Sequence, residues 1–149
     1  MSVNKIVRGC VVVLLLFAGS ASAGVNDKNF GSAVVADVTS IYDADTFRVN
    51  VDGWPAIIGE RVPVRVNGID APEIRGKCAE EKRAAREAKQ FTVSMLRGAK
   101  RIELSNIRRG KYFRILADVL VDGSSLAAAL INAGHARPYD GGTRRGWCR

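Results

Sequence analysis

Apolar and polar positions alternate with a period of two in the middle of the chain. In Arg61–Asn67, Val62, Val64 and Val66 share one face and Arg61, Arg65 and Asn67 the other, which is the pattern of a strand buried on one side. Ser32–Ser40 and Asp45–Val51 are rich in Val, Ile, Thr and Phe, and Asp52-Gly53 with Trp54-Pro55 supplies a turn after them; they read as two strands of a hairpin or meander. From Ala79 to Arg97 the period lengthens. Ala84, Ala88, Phe91 and Met95, with Ala85, Thr92 and Leu96 beside them, recur at helical spacing up to Gly98, predicting an amphipathic helix that stops there. Lys100–Ile107 and Tyr112–Val121 resume strand character around the basic turn Arg108-Arg109-Gly110-Lys111, and Asp122-Gly123 ends the last strand. Ser124 is a candidate N-cap for a short helix to Asn132, with Gly134 beyond it. Five strands, one helix after the third and one after the fifth predict a β-barrel with helices packed on it, an α+β domain.

The N-terminus adds a compartment. Lys5 and Arg8 precede the apolar run Cys10–Ala18, and Ala21-Ser22-Ala23 offers a small-residue cleavage site. Residues 1–23 therefore read as a secretory signal peptide, the run being far shorter than the ~20 residues that span a bilayer. Residues 24–149 are left as one domain, expected to be secreted or periplasmic, free of the membrane and monomeric. Losing Lys5 and Arg8 takes two from the formal net charge of +8, and the remaining surplus suits a polyanionic partner. Cys10 leaves with the leader, so Cys78 and Cys148 remain. In an oxidising compartment they are expected to pair, tying the segment just after Glu73 to the C-terminal tail; two free thiols are the alternative.

The candidate chemistry is carboxylate and arginine. Asp43 and Asp45 flank Ala44 where the second strand begins, and Asp70 and Glu73 flank Ala71-Pro72 just after Arg65. If the Asp70–Glu73 turn folds against the barrel rim, three carboxylates, Asp45, Asp70 and Glu73, converge, and each pair at about 4 Å repels by ~4 kcal/mol at an effective dielectric near 20. A cation would relieve that repulsion, and oxygen-only donors select Ca²⁺ or Mg²⁺. No Cys/His cluster suggests zinc, and the lone His135 reads as a surface or partly buried residue. The plainer reading makes Asp43 and Asp45 turn residues, Asp70 a turn former and Glu73 a solvated partner of Arg75. Spacing alone leaves both readings open.

Taken together, Tyr42-Asp43-Ala44-Asp45-Thr46, Arg65-Val-Asn-Gly-Ile-Asp70-Ala-Pro-Glu73, Lys111-Tyr112-Phe113-Arg114 and Leu116-Ala117-Asp118-Val119 resemble the thermonuclease, or staphylococcal nuclease, family. The resemblance runs from about Val34 to Tyr139. It implies a five-stranded OB-type Greek-key barrel and Ca²⁺-dependent hydrolysis of DNA and RNA, single-stranded or locally open, that leaves 3′-phosphate ends. By motif position it implies Asp45, Asp70 and the backbone carbonyl of Ala71 as calcium ligands, with Asp43 and Thr46 just behind them. Glu73 takes the place of the general base or water-positioning group, and Arg65 and Arg114 that of the pair binding the scissile phosphate. Lys111, Tyr112 and Tyr139 match nucleotide-contacting positions.

Three residues depart from the family pattern: Ala44 for glycine, Ala71 for threonine, and Phe113 for the glycine before the second arginine. The last could alter how Arg114 is aimed. The chain also ends before a third C-terminal helix could form, and the Cys78–Cys148 bridge is expected to hold the shorter tail. The rival to a nuclease is a non-catalytic OB-type module that binds single strands or an acidic partner with the same face. A secreted structural or inhibitory domain is the third reading, and it predicts no salt-sensitive binding to nucleic acid.

Overall fold

The alternating valines of the third strand point into a barrel whose five walls close on themselves. The computed structural model describes residues 28–148; the expected signal peptide lies outside the described residues. Strands β1 (Ala33–Asp43), β2 (Thr46–Val51) and β3 (Val62–Val66) form an antiparallel meander. Strand β5 (Ile102–Arg109) pairs with β1 and with β6 (Ile115–Val121), and β6 returns parallel to β3, matching Val64 with Ile115 and Val66 with Ala117. That last pairing closes the sheet and abolishes its open edge.

Every second residue of β3 and β6 is buried: Val62, Val64 and Val66 on one, Ile115, Ala117, Val119 and Val121 on the other. With Phe47, Val49 and Leu104 they fill the interior. Helix α1 (Ala56–Gly59) is a single turn after the β2 turn that periodicity could not distinguish from a loop. Helix α2 (Ala79–Gly98) packs on β1 and on α3 (Leu126–Asn132) through Ala85, Ala88, Thr92 and Leu96, which are buried; Ala84, Phe91 and Met95 are only half-buried, so the inward stripe lies slightly to one side of the expected one. His135 is half-buried against the Phe91 ring.

Several boundaries differ from the sequence reading, each for a local reason. Strand β1 runs on to Asp43, because Ile41 and Asp43 still find partners in β2. Tyr112 and Phe113 do not belong to a strand. Both have positive φ, 58° and 59°, in a 3₁₀ turn over Lys111–Phe113 that is closed by Arg114 N–H donating to Lys111 O and Gly110 N–H donating to Arg114 O. Strand β5 instead extends through Arg108 and Arg109, which sit opposite Leu116 and Ile115. The cap of α3 is Ser125, whose hydroxyl accepts from Ala128 N–H at 3.2 Å, and not Ser124, which pairs with Val121 in the two-residue strand β7 (Ser124–Ser125). Asp122-Gly123 is the expected turn: φ values of 49° and 82° at its two residues match a type I′ hairpin.

Two more short strands lie outside the barrel. Strand β4 (Ile69–Asp70) pairs with β8 (Arg137–Pro138), Asp70 opposite Arg137. No periodicity announces such a short pairing, yet it brings the C-terminal segment beside the carboxylate turn. From there the chain runs to Cys148, which is bonded to Cys78, the residue before α2.

Candidate active site

The β1–β2 hairpin carries the first carboxylates. Ala44 at its tip is fully buried, and its carbonyl accepts a 2.9 Å hydrogen bond from the buried Thr92 hydroxyl of α2. This anchors the tip between barrel and helix, with Asp43 and Asp45 on either side. Asp45 is buried. Its Oδ1 accepts from the Thr46 hydroxyl at 2.8 Å, its Oδ2 is 2.9 Å from Arg65 Nη2, and its carbonyl accepts from Val66 N–H. Asp43 turns to the next loop and accepts from Ile74 N–H at 3.2 Å. The two aspartates thus take different partners, Asp43 the Ile74 N–H and Asp45 the Thr46 hydroxyl and Arg65.

The second carboxylate pair sits on the turn after β4. Asp70, Ala71 and Pro72 are buried, whereas Glu73 is exposed. Asp70 Oδ1 is 3.2 Å from Arg144 Nε, and its Oδ2 accepts from Trp147 Nε1–H at 3.1 Å. Arg144 also donates from Nη1 to Glu73 Oε1 at 2.5 Å. Cys78 and Cys148 are bonded to each other, linking the chain after Glu73 to the tail.

The electrostatics follow from burial. Asp45's carboxyl is raised above its usual value, first because burial disfavours the charge; Arg65 and the Thr46 hydroxyl oppose the shift, and Asp70 adds to it. Asp43 is raised as well, by burial first, against the Ile74 hydrogen bond, with Asp45 and Glu73 adding repulsion. Arg114 is lowered by burial first and then by Arg65, with Arg144 contributing and Asp45 and Glu73 opposing. Arg144 is raised, its hydrogen bond to Glu73 and the charges of Asp70, Glu73 and Asp45 overcoming burial, the largest single influence. Arg65, Arg114 and Arg144 therefore share one field with Asp45, Asp70 and Glu73.

Beside them opens a groove of about 1240 Å³ walled by Arg65, Arg108, Lys111, Arg114, Tyr139 and Arg144, among others. Asp45 and Glu73 do not line it but pair with Arg65 and Arg144, which do, and Asp70 borders a smaller adjoining hollow. Tyr139 is fixed by its N–H to Gly68 O and its hydroxyl to Gly142 O. Tyr112 and Phe113 project into solvent, 91% and 83% exposed. Arg108 has a buried Nε with no hydrogen-bond partner among the described residues.

Of the residues singled out in the sequence, Arg65, Lys111, Arg114 and Tyr139 line the groove, Asp45 pairs with Arg65, and Asp70 and Glu73 meet at Arg144, whereas Tyr112 is almost wholly exposed and lines neither hollow. Those not singled out are Arg108, Arg137, Arg144 and Trp147. Arg144 and Trp147 had one signal, the pairing of Cys148 with a cysteine five residues after Glu73, which draws the whole tail to the carboxylate turn.

The donor set fits a hard cation. Asp45, Asp70 and the Ala71 backbone offer only oxygen, all three residues are buried, and the Asp45 charge remains under-compensated even beside Arg65.

Residues 63–145 match the family model described as staphylococcal nuclease homologue. A protein named probable endonuclease lcl3 from Pyrenophora tritici-repentis is 26% identical over 133 residues, which cover 74% of this chain and 49% of that one. A protein of the same name from Emericella nidulans is 31% identical over 107 residues, covering 60% of this chain and 38% of its own. The chain thus spans less than half the length of both curated relatives.

Proposed function

The chain belongs to the staphylococcal nuclease homologue family, and from that premise we propose that it is an exported, Ca²⁺-dependent nuclease that hydrolyses phosphodiester bonds in DNA and RNA with little sequence preference. The observation that carries this reading is the pairing of Asp45, Asp70 and Glu73 with Arg65 and Arg144, which line a basic groove together with Arg114. The two relatives named as probable endonucleases support it.

In this reading Asp45, Asp70 and the Ala71 carbonyl hold the cation, which when bound supplies Lewis-acid polarisation of a phosphoryl oxygen. Lys111, Arg108 and Arg144 draw the polyanion into the groove, and Tyr112 and Tyr139 offer rings to bases. Glu73, exposed enough to meet solvent, orients a water and takes its proton as the water oxygen bonds to phosphorus. Arg65 and Arg114 spread their N–H donors over the equatorial oxygens as charge builds there. The bond from phosphorus to the 5′ oxygen breaks, that oxygen takes up a proton, and a 3′-phosphate and a 5′-hydroxyl result. Sequence preference is weak because the groove offers charge and stacking and no base-reading element.

The leader at residues 1–23 supports export of a domain spanning 24–149, acting as a monomer in a periplasm or outside the cell. Among the described residues no helix is long and apolar enough to cross a membrane.

The test is cleavage of single-stranded DNA, duplex DNA and RNA with Ca²⁺, with Mg²⁺ and with EGTA, beside Glu73→Gln. Calcium-dependent cutting that falls roughly 10²–10⁴-fold in the variant is expected. Salt-sensitive binding without cutting under any metal would instead favour the non-catalytic OB-type module.

A further inference from the structure

The residues that cap Asp70 come from the far end of the chain and are themselves fastened. Trp147 Nε1–H donates to Asp70 Oδ2 at 3.1 Å. The guanidinium of Arg137 lies 3.5 Å over the Trp147 ring, and its Nη2 donates to Gly146 O at 3.1 Å. Arg137 is in turn the β8 residue paired with Asp70 in β4. The next residue, Cys148, is bonded to Cys78 at the start of α2. The indole is therefore held by a stacked cation, by a backbone contact to the preceding residue and by a covalent link at the following one.

Trp147 and Arg144 both reach Asp70, but they act differently on a cation. Arg144 is positively charged and opposes a second positive charge at the same carboxylate. The indole N–H is neutral. It fixes the plane of a carboxylate that otherwise rotates in a broad torsional well, and it leaves lone pairs on both oxygens free.

We propose that Trp147 is a positioning residue that holds the Asp70 carboxylate ready for the cation, and that the Cys78–Cys148 disulfide is the fastening that keeps it there. This rests on the cation reading given above. Hydrogen-bond partners one step behind a metal ligand typically contribute 10–100-fold to metal affinity, and pre-organising the ligand avoids part of the ordering cost on binding.

The test is calorimetric titration of Ca²⁺ into the purified protein, without nucleic acid, for wild type, Trp147→Phe, and each of the two after reduction of the disulfide, with circular dichroism confirming the barrel in each. Wild type is expected to bind, Trp147→Phe to weaken the Kd by about 10-fold or more, and reduction to weaken wild type by a similar factor. Reduction of Trp147→Phe should then add little, since both changes break one linkage. A Kd for Trp147→Phe within twofold of wild type, or tighter, overturns the proposal while leaving the cation site intact. If Trp147→Phe does not fold, reduced wild type carries the comparison, and an unchanged Kd there overturns it equally. Absence of Ca²⁺ binding by wild type removes the cation reading and this inference with it.

Discussion

Arg65 Nη2 stands 2.9 Å from Asp45 Oδ2, both side chains largely buried, Asp45 being the turn residue just before Thr46, which the β2–β3 register sets opposite Arg65. Taking the arginine away leaves a buried carboxylate without its main compensating charge, a change that typically costs about 3–5 kcal/mol. Arg65→Ala should therefore destabilise the metal-free protein by roughly that amount in urea melts. Adding Asp45→Asn should recover a good part of the loss, because the uncompensated charge is then gone. Arg65→Lys should retain more stability yet lose about 10²-fold or more in kcat, since the two-pronged contact with a phosphate is what lysine cannot make. Full recovery of kcat by lysine would show that Arg65 contributes charge alone.

Thr92 places the hairpin tip by a single hydrogen bond to Ala44 O, in surroundings with no exposure for either residue. Thr92→Val keeps the shape and leaves the carbonyl without its donor, which costs about 1–3 kcal/mol. Denaturant melts should show that loss, and Ca²⁺ affinity should fall with it, because Asp43 and Asp45 flank Ala44. A stability loss with unchanged cation affinity would mean the tip holds its shape without α2.

Asp43 makes a pH-dependent prediction. Its carboxyl is raised above 3.8 by burial first, with Asp45 and Glu73 adding repulsion, so the folded chain keeps a proton that the unfolded chain has released. Stability is thereby lost as pH rises from the unfolded value through the folded one, and the penalty is fully present at neutral pH. Asp43→Asn can still accept from Ile74 N–H but carries no charge. In EGTA it should raise Tm at pH 7, and the gap should close toward pH 3. A wild type more stable than the variant at pH 7 would mean that the hydrogen bond to the ionised oxygen outweighs burial.

These contacts also mark how far the sequence could be read. The barrel was legible because Val62, Val64 and Val66 repeat with a strand's period, and α2 because its apolar residues repeat with a helix's. The carboxylate turn was legible because Asp70, Pro72 and Glu73 constrain a few adjacent residues. Arg144 and Trp147 were not, because their contacts with Asp70 span more than 70 positions, are made by single side chains and rest on a two-residue strand pairing. Only the cysteines hinted at them. The strand expected over Tyr112–Val121 starts only at Ile115: the aromatic residues before it favour β structure, but the backbone bonds between Gly110, Lys111 and Arg114 override that preference.

That same segment decides what the bulky residue before Arg114 does. Phe113 has φ 59°, a left-handed conformation in which a side chain typically costs about 1–2 kcal/mol. Its ring is 83% exposed and lies 5.2 Å from the Arg109 guanidinium. The backbone at Arg114 is fixed by the turn itself, its N–H donating to Lys111 O and its carbonyl accepting from Gly110 N–H. Phe113→Gly should relieve the strained backbone, while the glycine adds freedom to the unfolded chain that offsets about 0.5–1 kcal/mol of the relief. The expected result is a stability gain of about 1 kcal/mol or less, with kcat on single-stranded DNA within about twofold of wild type. A large rise in kcat at unchanged KM would show instead that Phe113 holds Arg114 away from the transition state, and the departure from glycine would then be a brake on the reaction.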